Sequence, residues 1–245
     1  MEKLFERIDD LQCNGLKIIQ DSRLFCFGMD AVLLCGFAKI QLGARVLDLC
    51  TGNGIIPLLL SQKTKAEEIV GLELLPESCS LAERSIRLNG LEDRISILCG
   101  DVKEWRRHFA PASFSHITCN PPYLERGGGI QNLSGPLLLA RHEVACTLDD
   151  IVGAAAGLLC HGGKLSVVYR PYRLVDLFCC MRRHRLEPKR MRMVHPRAGE
   201  VANLVLVEAV LNGRMQLNLE KPLVVYREDG AYTDEINQIY GRGCQ

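Results

Sequence analysis

The segment Val46-Leu47-Asp48-Leu49-Cys50-Thr51-Gly52-Asn53-Gly54 constrains the fold more than any other stretch of the chain. An apolar run at residues 45–49 passes through a glycine-rich turn directly into a second apolar run at residues 55–62. The first has the length of a buried strand and the second that of a helix. Gly52 and Gly54 let the backbone pass close to a ligand where a Cβ would collide. A strand that turns on glycine into a helix opens a parallel sheet with helices on both faces, so the rest of the chain should alternate in the same way.

Downstream the alternation continues. Residues 68–72 read as a second strand, and residues 76–89 as a helix with Pro76 in its first turn and Gly90 as its stop. Residues 94–98 and 115–119 read as the third and fourth strands. Thr147-Leu148-Asp149-Asp150 has the form of a capping box, opening a helix through residue 160 that Gly162-Gly163 ends. A strand at 164–169 and a helix at 171–184 follow. Two further strands, 186–194 and 201–210, have no helix between them, so one of them should run antiparallel. Upstream, residues 1–15 look like a polar lead-in. Residues 16–20 and 23–27 look like a hairpin turning at Asp21-Ser22, and residues 31–40 like a helix. The expected fold is α/β and Rossmann-like: a doubly wound, mostly parallel seven-stranded sheet with one antiparallel strand near the C-terminus. Residues 1–44 are expected to pack as a hairpin and helix on a core domain at 45–245.

Composition narrows the function classes. The 245 residues can bury a substantial core, with 47% hydrophobic and 24% charged residues. A formal net charge of +1 excludes a global polycation, so any nucleic-acid contact must come from a local patch. The longest apolar run near a helix, residues 151–160, is too short for a bilayer, and the N-terminus lacks a signal-peptide pattern. The 12 cysteines are scattered apart from Cys179-Cys180, and neither a C-x-x-C nor a C-x-x-x-H zinc spacing is expected. They read as small buried hydrophobes in a reducing cytoplasm, with neither a disulfide framework nor a metal expected.

The glycine turn carries its own chemistry. Asp48, just before it, suits the positively charged amino group of a methionine moiety and would repel a pyrophosphate. A dinucleotide turn would place its third glycine where Pro57 stands. Glu73 ends the second strand, where an acid can accept both ribose hydroxyls. Asp101, after the third strand, can accept from the adenine amine, and the Val102 N–H can reach a ring nitrogen. Together these residues favour S-adenosylmethionine over NAD, with Gly52, Asn53 and Gly54 in the cofactor turn and Asn120 a further candidate cofactor contact. Taken singly, each carboxylate could equally be a helix cap or a solvated charge.

Asn120-Pro121-Pro122-Tyr123 ends the fourth strand. Two prolines stiffen the backbone, and Pro121 forces Asn120 into an extended conformation. The Asn120 side-chain oxygen and the Pro121 carbonyl then form two fixed acceptors for the two hydrogens of a planar NH2. Such an amine is a poor nucleophile, because its lone pair is delocalised. Holding both hydrogens aligns it and stabilises the positive charge that develops on nitrogen. Tyr123 can stack on a flipped base beside Pro122.

With these residues in place the chain resembles bacterial tRNA1(Val) adenine-37 N6-methyltransferases, class I amino-methyltransferases dependent on S-adenosylmethionine. The resemblance is carried by Asp9-Asp10-Leu11, residues 15–20, Phe27-Gly28-Met29-Asp30-Ala31 and the cofactor turn. It continues through the Asn120 tetrapeptide, Ala140-Arg141-His142-Glu143, the His195-Pro196-Arg197 loop and residues 204–208. It implies N6-methylation of a tRNA adenosine, with Gly28 and Asp30 beside the methionine end of the cofactor. One departure is Cys50, where the family's turn has its first glycine. The same tetrapeptide occurs in protein glutamine N5-methyltransferases, whose acceptor is also a planar NH2. Those enzymes carry a helical domain before the cofactor strand, whereas 44 residues precede it here. A non-catalytic binding protein on the same fold is the third alternative, and the intact tetrapeptide and carboxylates argue against it.

Residues 182–197 concentrate positive charge, with Arg182, Arg183, Arg185, Lys189, Arg190, Arg192 and Arg197 against Glu187. Arg190, Arg192 and Arg197 are the candidate phosphate contacts for tRNA. The alternative is a solvated helix end followed by a charged edge strand. His142 and His195 carry no strong signal.

Overall fold

A computed structural model of the chain describes residues 5–24, 26–121 and 146–242. It opens with β1 (Glu6–Asp10), β2 (Lys17–Asp21) and α1 (Met29–Phe37). The alternating core follows as β3 (Arg45–Leu49), α2 (Ile55–Lys63), β4 (Glu68–Glu73), α3 (Pro76–Leu88), β5 (Ile95–Cys99) and β6 (Phe114–Cys119). After the second described break come α4 (Leu148–Leu158), β7 (Leu159–Tyr169), α5 (Leu174–Arg183), β8 (Leu186–His195) and β9 (Leu204–Leu211). Two short strands, β10 (Asn218–Leu219) and β11 (Leu223–Val224), and the helix α6 (Asp234–Tyr240) complete the described chain.

The main sheet runs β5-β4-β3-β6-β7-β9-β8, with β10 and β11 pairing along β8. Every pairing is parallel except those of β9, which is antiparallel to both β7 and β8. This is the expected Rossmann-like sheet with one late antiparallel strand. Central strands such as β3 are buried at nearly every position because helices cover both faces. One face packs Leu33 of α1, Leu58 of α2 and Ile86 of α3 against Val46 and Ile69. The other packs Leu158 of α4 and Met181 of α5 against Leu47, Phe114 and Ile117. β3 has β4 on one side and β6 on the other, so connections leave it in opposite directions. The crevice outside the carboxyl ends at such a reversal is where open α/β sheets bind ligands.

The N-terminal hairpin differs from expectation. It pairs β1 with β2, so the supposed polar lead-in is a strand, and the stretch after Asp21 is not. β1 reads Glu-Arg-Ile-Asp-Asp and leaves most of its side chains exposed or half-buried, so no apolar alternation marks it. The turn lies in the intervening loop, where Gln12, Asn14 and Gly15 all take positive φ. After β2, the Asp21 carboxylate accepts from the Arg23 N–H at 2.9 Å and its guanidinium at 2.6 Å, bending the chain out of the strand. The hairpin docks on α3. Ile19 N–H donates to Ser85 Oγ at 2.9 Å, Asn89 Nδ2 donates to the Lys17 carbonyl at 2.7 Å, and Arg84 pairs with Glu6 at 2.6 Å.

Smaller differences have local causes. α4 has the expected capping box at Thr147 and Asp150, but it ends at Leu158. The apolar residues that follow start β7, which passes Gly162 at φ 73° and shifts register against β6. The expected 171–184 helix begins as a 3-10 turn, Pro171–Arg173, before α5. β10, β11 and α6 were not foreseen. β10 is exposed at both positions, β11 buries Leu223, and α6 buries Ile236.

Candidate active site

The cofactor turn is built from left-handed backbone: Cys50 at φ 59°, Gly52 at 57° and Gly54 at 82°. Cys50 takes this conformation where the resemblance leads to glycine, at a cost of roughly 1–2 kcal/mol for a residue with a Cβ. Gly54 begins α2, and a Cβ there would sit 3.0 Å from that of Ala82. Glycine thus lets the turn lie against α3.

The three predicted carboxylates lie at successive strand ends. Glu73, at the end of β4, is 2% exposed, which removes the surface-charge alternative. Its Oε2 accepts from the Gly52 N–H and its Oε1 from the Leu75 N–H, both at 2.9 Å. The glycine turn is therefore held by the same acid that was assigned to the ribose. Asp101 caps the 3-10 turn Val102–Arg107 by accepting from the Lys103 N–H at 2.9 Å, so here the capping alternative is real. Glu73, Asp101 and Val102 nonetheless line one cleft, with Cys50, Leu74 and Cys146.

Asp48 is fully buried at the end of β3. Thr118 of β6, its register partner, donates to Oδ1 at 2.7 Å. Burial pushes the Asp48 carboxyl up to about 7, against the lowering effect of the Thr118 hydroxyl. Asp48 Oδ2, Thr51 Oγ1, Asn53 Nδ2 and Asn120 Oδ1 are all buried with no hydrogen-bond partner among the described residues. Buried polar atoms in folded proteins are nearly always paired. Four such atoms around one strand-end crevice fit a polar ligand carrying both donors and acceptors, such as the amino-acid end of S-adenosylmethionine.

Asn120 follows β6, and Pro121 beside it is buried. The Asn120 Nδ2 donates to Asp30 Oδ2 at 3.0 Å across 90 residues of sequence. The structure thus brings Asp30 to Asn120. Gly28 precedes α1 in extended backbone. Pro122, Tyr123 and the Ala140-Arg141-His142-Glu143 segment lie outside the described residues.

The basic segment is a correction. Arg190 is not an exposed phosphate ligand: its guanidinium pairs with Glu208 at 3.0 Å and Glu220 at 2.8 Å, with 13% of the side chain exposed. Arg192 pairs with Glu235 at 2.7 Å and donates to the Lys221 carbonyl at 2.8 Å. Both tie β8 to the C-terminal strip, which the sequence gave no reason to expect. Arg197 is half exposed beside Glu200. His195 Nδ1 lies 2.6 Å from the Glu200 carbonyl, a structural contact.

Thr51, Thr118, Cys50 and Cys146 went unassigned to the site in the sequence. Thr118 had a signal in strand register, since an inward residue of β6 must face Asp48; Cys146 had none. A further cluster joins Asp149, Cys180 and His184, whose ligand atoms lie within 4.8 Å of one another. Cys180 and His184 have the C-x-x-x-H spacing, contrary to the expectation that no zinc spacing is present. Asp149 Oδ1 already accepts from Arg183 at 2.8 Å and lies 3.0 Å from His184 Nε2. No helix among the described residues is long and apolar enough to cross a membrane.

Comparison with known proteins agrees with this geometry. The sequence pattern of the TRM5/TYW2 methyltransferase domain matches residues 37–121, which span the cofactor turn through Pro121. A tRNA1(Val) (adenine(37)-N6)-methyltransferase of Aeromonas salmonicida is 29% identical over 86% of this chain and 87% of its own length. One of the same name from Tolumonas auensis is 29% identical over 89% and 90%. Among solved structures, a predicted O-methyltransferase of Agrobacterium tumefaciens superposes with TM-score 0.72 and 25% identity, covering 89% of this chain and 98% of that one. Trm5 of Methanocaldococcus jannaschii, solved with adenosine, gives TM-score 0.60 and 17% identity over 87% of this chain and 58% of its own. The resemblance to the tRNA1(Val) adenine-37 N6-methyltransferases thus extends over most of the sequence, and the chain is a Rossmann-like methyltransferase dependent on S-adenosylmethionine.

Proposed function

We propose that the chain transfers a methyl group to the exocyclic N6 of an adenosine in tRNA, at position 37 of the anticodon loop. The observation that carries this reading is the Oδ1 of Asn120, buried and without a partner among the described residues, beside the stiff Pro121 backbone. It is an acceptor held by the Asp30 contact, with nothing to accept from among the described residues. Two acceptors at this point suit an NH2 group with two hydrogens. The relatives' names supply the nucleic acid and the position. A loop adenosine can leave its stack at low cost, whereas duplex RNA hides base edges in a deep groove.

When bound, S-adenosylmethionine supplies an electrophilic methyl on a sulfonium centre. The chain's own groups do the rest. Glu73 accepts from the ribose hydroxyls, and Asp101 with the Val102 N–H reads the adenine edge. Asp48 and Asn53 serve the amino-acid end. Asn120 Oδ1 and the Pro121 carbonyl hold the acceptor amine, and Tyr123 stacks on the base. No residue needs to remove a proton before the methyl moves, because the charged product amine loses one afterwards. Arg197 remains the candidate phosphate contact, and a cytoplasmic location goes with a tRNA substrate. The test is incubation of the protein with methyl-labelled donor and unmethylated tRNA. N6-methyladenosine is expected on nucleoside mass spectrometry, and label on any other nucleoside contradicts the reading.

Asp48 makes cofactor binding depend on pH. A carboxyl at about 7 is largely protonated below that pH, and only its ionised form attracts an ammonium group. Binding then releases a proton, so affinity weakens as pH falls below 7, at most about tenfold per unit, and is flat above it. Calorimetry of S-adenosylhomocysteine from pH 5.5 to 8.5 checks this, and Asp48→Asn is expected to remove the dependence. A pH-independent wild type contradicts the assignment.

A further inference from the structure

We infer that Asp30 is a positioning residue for methyl transfer, fixing which edge of the Asn120 amide faces the acceptor nitrogen. The inference rests on the proposed role of Asn120 and gives Asp30 a task besides contact with the cofactor.

An asparagine amide has two ends of nearly the same shape and opposite hydrogen-bonding sense. If the NH2 end of Asn120 faced the acceptor, two donors would confront two donors and the amine could not be held. The side chain therefore has to be locked one way round. A carboxylate does this, because when ionised it only accepts. Asp30 Oδ2 takes the Asn120 Nδ2 hydrogen at 3.0 Å, which leaves Asn120 Oδ1 as the other end, buried and without a partner among the described residues.

Asp30 is itself held in place. It sits in the first turn of α1, where the helix dipole favours a negative charge. Its Oδ1 lies 3.0 Å from the Ala31 N–H. Gly28 leaves the space this requires: a Cβ there would lie 2.8 Å from Asp30 Oδ1. The segment Phe27-Gly28-Met29-Asp30 thus works as a clamp, in which the glycine admits the carboxylate and the carboxylate orients the amide.

The charge adds a second effect. A carboxylate 3.0 Å behind the amide nitrogen draws the amide's hydrogen outward and makes Oδ1 more negative. Positive charge grows on the acceptor nitrogen as the methyl arrives, so this polarisation helps more in the transition state than in the ground state. Asp30 should therefore act on kcat over and above what its contact with the cofactor gives to affinity.

The experiment compares wild type, Asp30→Asn and Asp30→Ala, each alone and combined with Asn120→Ala, under single-turnover conditions with tRNA. Asp30→Asn keeps the shape but can present either end to Asn120. At saturating cofactor it is expected to lower kcat roughly 30- to 100-fold, as misplacement of a catalytic group does, with KM for tRNA within about twofold. Asp30→Ala should lose at least as much. In the Asn120→Ala background, where no amide remains to orient, Asp30→Asn should change the residual rate little. Melting curves show whether either variant has unfolded. An unchanged kcat in Asp30→Asn overturns the proposal. So does a loss confined to cofactor affinity, or an equal loss with and without Asn120. Full activity of Asn120→Ala alone would instead remove the reading beneath it.

Discussion

Asn120→Ala is expected to lower kcat by roughly 100- to 1,000-fold, the usual consequence of removing one fixed group from charge stabilisation at a reacting centre. The affinity for S-adenosylhomocysteine should stay nearly unchanged. The side chain is not built into the cofactor turn; its one observed partner is Asp30, across from it on α1. Its oxygen has no partner among the described residues whose loss would unsettle the sheet. Stopped turnover with intact cofactor binding separates this role from a folding defect. An Asn120→Ala enzyme that turns over at the wild-type rate would contradict the mechanism.

Glu73→Ala is expected to damage two things at once. The carboxylate is 2% exposed and holds the N–H groups of Gly52 and Leu75. Removing it strands two donors, each costing about 1–3 kcal/mol if water does not reach it. The glycine turn loses its anchor, and the ribose loses its acceptor. Cofactor affinity should fall between about tenfold and a few hundredfold, and the melting temperature should fall with it. Glu73→Gln keeps one oxygen and should lose less on both counts. Calorimetry with S-adenosylhomocysteine and a thermal melt read the two effects separately. Unaltered affinity in Glu73→Ala would show that the acid serves the turn alone.

The two residues show how differently parts of the molecule could be read from sequence. The alternating core was legible because strands such as β3 and β4 are apolar runs bounded by glycine or acid. Pro76, Gly90 and Thr147 punctuate the helices as capping rules require. The carboxylates at strand ends were legible because topology puts those ends together. β1 was not, because its strand character lies in backbone pairing to β2 rather than in an apolar face. The C-terminal strip was not, because β10 and β11 are two residues each and gain order only from β8. Arg190 and Arg192 were misjudged for the same reason: the acids that neutralise them, Glu208, Glu220 and Glu235, are 18 to 43 residues away. Charge counted along the chain says nothing of such partners. The contact between Asp30 and Asn120 was likewise invisible, although both residues had been singled out separately.

The most direct measurement offers unmethylated tRNA and an unmethylated release factor together to the wild-type protein with labelled methyl donor. The account predicts label in the RNA, recovered as N6-methyladenosine, and none in the protein. Label on a glutamine of the release factor, with none on adenosine, would contradict it.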